Sequence, residues 1–450
     1  MEMTIEQKKP QTTLSERYKA LLELEPKLIT NFVPQDAKEQ KTAFLAGEVR
    51  NPDHTYDKLD AIDFDERIAQ ISAVGHDILA SSELNPKFAG AYEQFIDGYE
   101  ARTRLMQLAW EYNAATDEAD KDRLRTEYMR LNIEMYGMPD ETTYRSLLQE
   151  KLAAISQKNL TGEAATLRDE LFALTGFSEG GELPERFRPS QETIEWVQGI
   201  VEGLYGGMLA HVPEGKETFS VIETQAIFQE IIRDEFGEAA EDWKVDVESA
   251  KSINVKSTEK RIVIPDDRGE LSYAQLRGLV VHELGVHMLR AVMGEETDLE
   301  PLANGLSDYY DAEEGLGVVM EQALKGKFSE AGIDHYITAG LAYHDNKDFR
   351  DTFEIKWRLA ALGSLKDDDL TDAACDKAQS SAYGGTMRMF RGTDELPWFK
   401  DLAYYNGAVN TWHYLEEIRG DDLRFTFVLL GKNDPSSKAH ERIVYETSSK

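Results

Sequence analysis

Apolar residues recur at spacings of three and four through most of the first third of the chain, the period of a helix that buries one face. Leu21, Leu22, Leu24 and Leu28 begin the pattern. Phe64, Ile68, Ile71, Val74, Ile78 and Leu79 carry it on, followed by Phe88, Tyr92, Phe95, Ile96 and Tyr99. Leu105, Leu108, Ala109 and Tyr112 continue it, as do Leu124, Tyr128, Leu131 and Met135. From Leu14 to about Tyr144 these stripes predict a helical array that packs and covers. Leu147, Leu148, Leu152 and Ile155 predict more helix over 142–175. Residues 1–15 are polar and are expected to fray. Gly176, Gly180, Gly181, Pro184 and Pro189 then interrupt the period, so 176–189 is expected to be a linker or long loop. Helix resumes at Ser190 to about His211, and again from Val221 to Phe236.

The pattern then changes period. Lys244–Val247, Ile253–Val255 and Arg261–Pro265 are β-branched and partly alternating, which predicts short strands of a small sheet. Asp266-Asp267-Arg268-Gly269 is a turn. Ser272, with Gln275 three residues on, forms a capping box that opens a helix carrying Leu276, Leu279 and Val280. Further helix is expected from Asp311, over 333–343, over 349–362 and over 412–418. Met387–Gly392 and Trp398–Gly407 read as mixed and aromatic, and the last fifteen or so residues as polar and loose. The expected fold is α+β and mostly helical, with a helical region over 1–188 and a second region over 189–450 that holds the sheet.

Composition narrows the function. The 450 residues carry 84 acidic and 50 basic side chains, a formal charge of −34. Such a surface argues against nucleic acid or an anionic membrane as partner, since both require basic patches. A single cysteine, Cys375, excludes an internal disulfide framework and suits a reducing compartment. Met1 to Lys19 lacks the apolar core of a secretory signal, and no apolar run reaches membrane-spanning length, so a cytoplasmic location is expected.

One stretch carries chemistry: Val281-His282-Glu283-Leu284-Gly285-Val286-His287-Met288. Two imidazoles with a carboxylate beside the first are the equipment of a zinc hydrolase, two nitrogen ligands and a general base for water. The familiar helical motif has its histidines four apart, which stacks them on one face. Here they are five apart, which on a regular helix splays them by roughly 140°. A shared ion therefore requires one extra residue in the helix, a π-bulge, and Gly285 is expected to ease that distortion. Tetrahedral zinc needs a third protein ligand. Glu313 and Glu314, near the start of the next apolar helix, are the candidates, and adjacent helical positions point about 100° apart, so only one can serve. Gly315 and Gly317 remove bulk from the packed face of that helix.

These residues resemble the tyrosine carboxypeptidase family, which includes the microtubule-associated tyrosine carboxypeptidases and bacterial relatives called QEGLA-motif proteins. The resemblance rests on His282-Glu-Leu-Gly-Val-His287, Met-Leu-Arg290 and Glu313-Glu314-Gly315-Leu316, and runs from roughly Pro189 to Lys432. It implies a gluzincin-like domain with the sheet beside the active-site helix, and one zinc ion on His282, His287 and Glu314. Glu313 falls at the family's variable position. Gly317 stands where the family usually has alanine, a departure expected to be harmless. Arg388-Met-Phe-Arg391-Gly392 and Phe399-Lys400-Asp401-Leu-Ala-Tyr404-Tyr-Asn-Gly407 resemble the family's downstream segments. The implied roles are Glu283 as general base, Arg391 and Lys400 on a substrate α-carboxylate, and Tyr404 on an oxyanion. The implied reaction removes a C-terminal residue, tyrosine or another aromatic favoured and glutamate possible, from a peptide or protein. Two rivals stand beside it. One is a dipeptidyl-peptidase-like exopeptidase, which also uses histidines five apart but must hold a terminal amine. The other is a metal-free binding protein that keeps the fold.

Overall fold

A computed structural model describes residues 12–180, 184–250, 252–365 and 370–448. The expected fraying over 1–15 falls mainly on residues outside that set, and helix is already present at Leu14–Leu22, closed by a capping box between Thr13 and Glu16.

The N-terminal region is helical among the described residues, with Phe64–Leu79, Ala89–Ala114, Glu118–Tyr136, Glu141–Ser156 and Gly162–Thr175 as its long elements. Their starts follow from local chemistry. Asp63, Asp117 and Asp140 each sit in extended backbone and accept amide hydrogens of the first turn. The expected helix over 142–175 is split, because the chain leaves the first helix at Gln157 and restarts after Thr161. Residues 181–183 of the loop expected over 176–189 lie outside the described set; beyond them the Arg186 guanidinium reaches Glu330 at 2.7 Å and Ser146 at 2.7 Å.

The strands form two small sheets among the described residues. β1 (Thr218–Phe219) pairs antiparallel with β5 (Leu271–Ser272). β2 (Lys244–Glu248) and β3 (Asn254–Lys256) flank β4 (Arg261–Pro265), parallel on one side and antiparallel on the other. The central strand, β4, is also the most apolar, with Ile262, Val263 and Ile264 buried. Ser272 ends β5 and caps the following Tyr273–Leu279 helix through the expected box with Gln275. β3 lies against the segment that follows that helix, so the sheet stands beside the histidine stretch.

One apolar core, from Ile194 to Leu429, surrounds that stretch with Val281, Leu284, Val286 and Met288 fully buried. The other clusters cross from the N-terminal region into the second. Tyr144 and Leu152 pack with Ile337 and Phe353, Leu105 and Tyr128 with Leu396 and Trp398, and Phe95 with Leu299 and Leu302.

Other segments also depart from the pattern-based expectation, among them Trp398–Gly407, read as mixed, where the helix Ala403–Glu417 begins. Asp372–Phe390 is one long helix, which takes in most of the stretch that reads as mixed from Met387. It runs unbroken through Ser380-Ser381 and Gly384-Gly385, all weak helix formers, because packing overrides propensity there. At Gly385 the buried Lys356 side chain passes 3.0 Å from where a Cβ would stand. The polar C-terminus is also helix, Lys438–Ser448, tied down by buried Val444.

Candidate metal centre

Val280–Met288 is a π-helical segment spliced between the helices Tyr273–Leu279 and Leu289–Glu295. Bonding from each residue to the fifth along places positions five apart one above the other. The rings of His282 and His287 accordingly stand 4.8 Å apart between centroids, inclined at 69°. Gly285 plays a different part from the one expected. Its φ is not positive, and a Cβ there would lie 2.9 Å from the buried Tyr205 ring. It is needed for close packing and not for backbone freedom.

The helix Tyr310–Leu324 crosses this segment and supplies the acidic side. Ligand atoms of His282, His287 and Glu314 all lie within 4.8 Å of one another. Glu313, one residue earlier, backs one of these candidate ligands, His287. Its carboxylate accepts from His287 Nδ1 at 2.9 Å and pairs with Arg290 and with Lys432 at 3.3 Å. Glu321 takes His282 Nδ1 at 2.7 Å. Both imidazoles thus spend Nδ1 on a carboxylate, which orients the ring and leaves Nε2 for a ligand. Burial opposes charge on His282, but the Glu321 bond and the nearby Glu283 and Glu314 outweigh it and push its pKa up to about 9. Burial likewise opposes charge on Glu313, yet Lys432, Arg290 and His287 hold its carboxyl well below the usual range.

Glycines set the spacing. Gly315 meets the backbone of Gly407 on the helix Ala403–Glu417, with no room for a Cβ on either. A Cβ on Gly317 would stand 2.7 Å from His282 Nε2. The departure read as harmless therefore has a structural role, since this glycine gives the His282 ring its seat.

Glu283 is 7% exposed, and its carboxylate makes no hydrogen bond or ion pair among the described residues. On the other side of Glu314 lies a basic and aromatic group. Tyr310 hydrogen-bonds Glu314, and the Lys400 ammonium donates to the Tyr310 hydroxyl, 4.2 Å from the centre of its ring. Burial pulls the Lys400 pKa down. Arg388 donates to both oxygens of Asp401, at 2.5 and 2.8 Å, and to the Tyr404 hydroxyl at 3.3 Å. Burial pushes the Tyr404 hydroxyl up, and Glu314 adds to it. Arg391 is buried on the face of Trp398, 4.6 Å from its centre, and its Nε has no partner among the described residues.

The ligand candidates therefore meet, Glu283 adjoins them, and Lys400 and Tyr404 reach Glu314 through Tyr310 and through their fields. Arg391 hydrogen-bonds none of these and joins them through longer-range interaction with Asp401, Arg388, Tyr310, Tyr404 and Lys400. Sequence reasoning did not single out Glu321, Arg290, Lys432, Tyr310 or Arg388 for a role. Glu321 had a signal, since seven residues past Glu314 is two turns along the same face. Arg290 had one in the Met-Leu-Arg290 segment that carries the resemblance, and Lys432 had none.

No curated protein sequence matches the chain. The family model described as microtubule-associated tyrosine carboxypeptidase matches residues 208–438, just over half of the 450 residues, and takes in both histidines, Glu314 and the basic and aromatic group beside it. The chain belongs to the microtubule-associated tyrosine carboxypeptidase family.

Proposed function

We propose that the protein is a zinc-dependent carboxypeptidase that removes the C-terminal residue of a peptide or protein, with tyrosine or another aromatic residue favoured and glutamate possible. Family membership supports carboxypeptidase activity in general. The observation that carries the zinc assignment is the donor set: two imidazoles and a carboxylate within 4.8 Å, each imidazole backed by a carboxylate on Nδ1. Two nitrogens and one carboxylate oxygen are a catalytic zinc set that leaves a fourth position open. His282, His287 and Glu314 would hold the ion, which when bound polarises a carbonyl and lowers the pKa of water.

The chain's own residues divide the remaining work. Glu283, buried and without a hydrogen-bond partner among the described residues, takes the proton of the attacking water and delivers it to the departing amine. Tyr404 is kept protonated by burial and Glu314, and its hydroxyl donates to the developing oxyanion. Arg391 and Lys400 hold the substrate α-carboxylate. Arg388 is committed to Asp401 by two hydrogen bonds, whereas Arg391 has an unused Nε and Lys400 hydrogen-bonds the Tyr310 hydroxyl and no carboxylate among the described residues, which supports these two for the anion. Basic groups with hydrogen-bonding capacity to spare also favour a terminal carboxylate over the terminal amine that a dipeptidyl peptidase must hold. The rings of Tyr310, Tyr404 and Trp398 beside the basic groups support an aromatic leaving residue.

Mass spectrometry of a C-terminally varied peptide library tests the reading. The wild type is expected to shorten free-acid peptides by one residue from the C-terminus. Glu283→Gln is expected to retain one zinc per chain while losing roughly 10²–10⁴-fold in kcat. Loss of dipeptides from the N-terminus, or a protein purified without zinc and indifferent to added zinc, would overturn it.

A further inference from the structure

The stretch from Gly392 to Phe399 joins Arg391 to Lys400; its amides bond back to Phe390 and Met389, and the side chains that grip it from another element come largely from outside the matched 208–438. Asn132, fully buried on the Glu118–Tyr136 helix, grips it twice, donating to the Pro397 carbonyl at 3.0 Å and accepting from the Phe399 amide at 3.0 Å. Phe399 immediately precedes Lys400. At the other end Asn113 donates to the Gly392 carbonyl at 2.8 Å, one residue past Arg391. Between them stands Asp394, a non-glycine residue at φ +61°, a conformation that needs outside support. His54 and Tyr56 provide it. The His54 amide and Nδ1 meet the two Asp394 oxygens at 2.6 and 2.8 Å, and the Tyr56 hydroxyl donates at 2.7 Å.

The platform under Arg391 has the same origin. The Trp398 ring that carries the guanidinium is met edge-on by Phe32 at 5.2 Å and by Tyr136 at 6.0 Å. Gly392, at φ +101°, lies so close to Phe32 that a Cβ would stand 3.1 Å from that ring. The metal ligands, by contrast, are seated by residues of the second region.

We propose that the N-terminal helical region builds the carboxylate-binding side of the active site. Asn132, with His54 and Tyr56, acts as a set of positioning residues that fix Arg391 and Lys400 by clamping residues 392–399. The inference rests on the reading of Arg391 and Lys400 given above. Its consequence is a division of labour, in which the second region holds the ion and the base, and the N-terminal region decides how well a substrate carboxylate is gripped.

Two substitutions test it in the full-length, zinc-loaded protein. Asn132→Asp keeps the acceptor for the Phe399 amide and loses the donor to Pro397. Tyr56→Phe removes one hydroxyl from Asp394 and keeps the ring, so it decides the matter if the first variant does not fold. The readouts are zinc content, kcat and KM for a free-acid peptide, and inhibition by that peptide compared with its C-terminal amide. Each variant is expected to keep its zinc and hold kcat within about twofold, while KM rises about five- to tenfold and the preference for acid over amide shrinks in step. Folded variants with wild-type KM, or with falling kcat and zinc at constant KM, would overturn the proposal. If the wild type itself does not distinguish acid from amide, the carboxylate reading falls and this inference with it. If it does, and the variants distinguish them equally well, the inference alone falls.

Discussion

His282 lies between Glu321, which accepts its Nδ1 proton, and Gly317, whose missing side chain leaves room for the ring. Each neighbour can be tested separately. Glu321→Gln keeps the shape but removes the charge that orients the His282 ring and would strengthen it as the proposed ligand. Zinc affinity, read by competition with a chromophoric chelator, is expected to fall about 10–100-fold. Gly317→Ala puts a methyl 2.7 Å from His282 Nε2 and must push the ring off its seat. The same titration is expected to show weaker binding, by about tenfold, without loss of helix content. Unchanged affinity in that variant would mean that the ring moves aside freely. Glu283 differs from both. It touches neither ring by hydrogen bond, so its replacement is expected to separate zinc content from turnover.

The π-helical segment and the two helices that cross beside it form one mechanical unit. The segment brings its histidines to one side, the Tyr310–Leu324 helix brings Glu313, Glu314 and Glu321, and the Ala403–Glu417 helix brings Tyr404. The last two meet backbone to backbone at Gly315 and Gly407, which sets the distance between Glu314 and Tyr404. Gly407→Ala must part them against the Asp311 carbonyl. Overpacking of this kind costs about 1–3 kcal/mol, so a lower melting temperature is expected. Activity measured well below the melt is expected to fall too, because Tyr404, the proposed oxyanion donor, moves with its helix. A variant that melts earlier but works at the wild-type rate would show that the crossing serves stability alone.

Across the molecule, buried or paired carboxylates set the response to acid. Burial opposes charge on Asp401, but Lys400 and the Arg388 bond hold its pKa down to about 2. Glu259 of the second region is likewise opposed by burial and held at about 2 by Lys27 of the N-terminal region and by Arg261. A carboxyl whose folded pKa is depressed contributes stability that is complete above its unfolded pKa and disappears as pH falls through the folded one. For Asp401, 2% exposed, that contribution is on the order of 2 kcal/mol. Denaturant midpoints are expected to hold down to about pH 5 and then fall steadily toward about pH 2. Asp401→Asn is expected to flatten part of that slope, and an unchanged slope would remove this ion pair from the account.

Much of this was legible along the chain because it is local. Helical periods, the aspartate and serine caps, the strand trio around Ile262–Ile264 and the capping box at Ser272 depend on neighbours within a few residues. So does the need for a π-turn, which follows from counting between two histidines. The resemblance to known motifs then marked Glu314 over Glu313. What the chain order hides is contact between distant segments. Glu321 behind His282, Gly317 beneath its ring, the unbroken Asp372–Phe390 helix and the N-terminal clamp on residues 392–399 all arise when separate elements pack. Periodicity records only that a face is buried, whereas packing decides against which partner, and the partner determines whether a side chain fills space, carries charge or holds a neighbour in place.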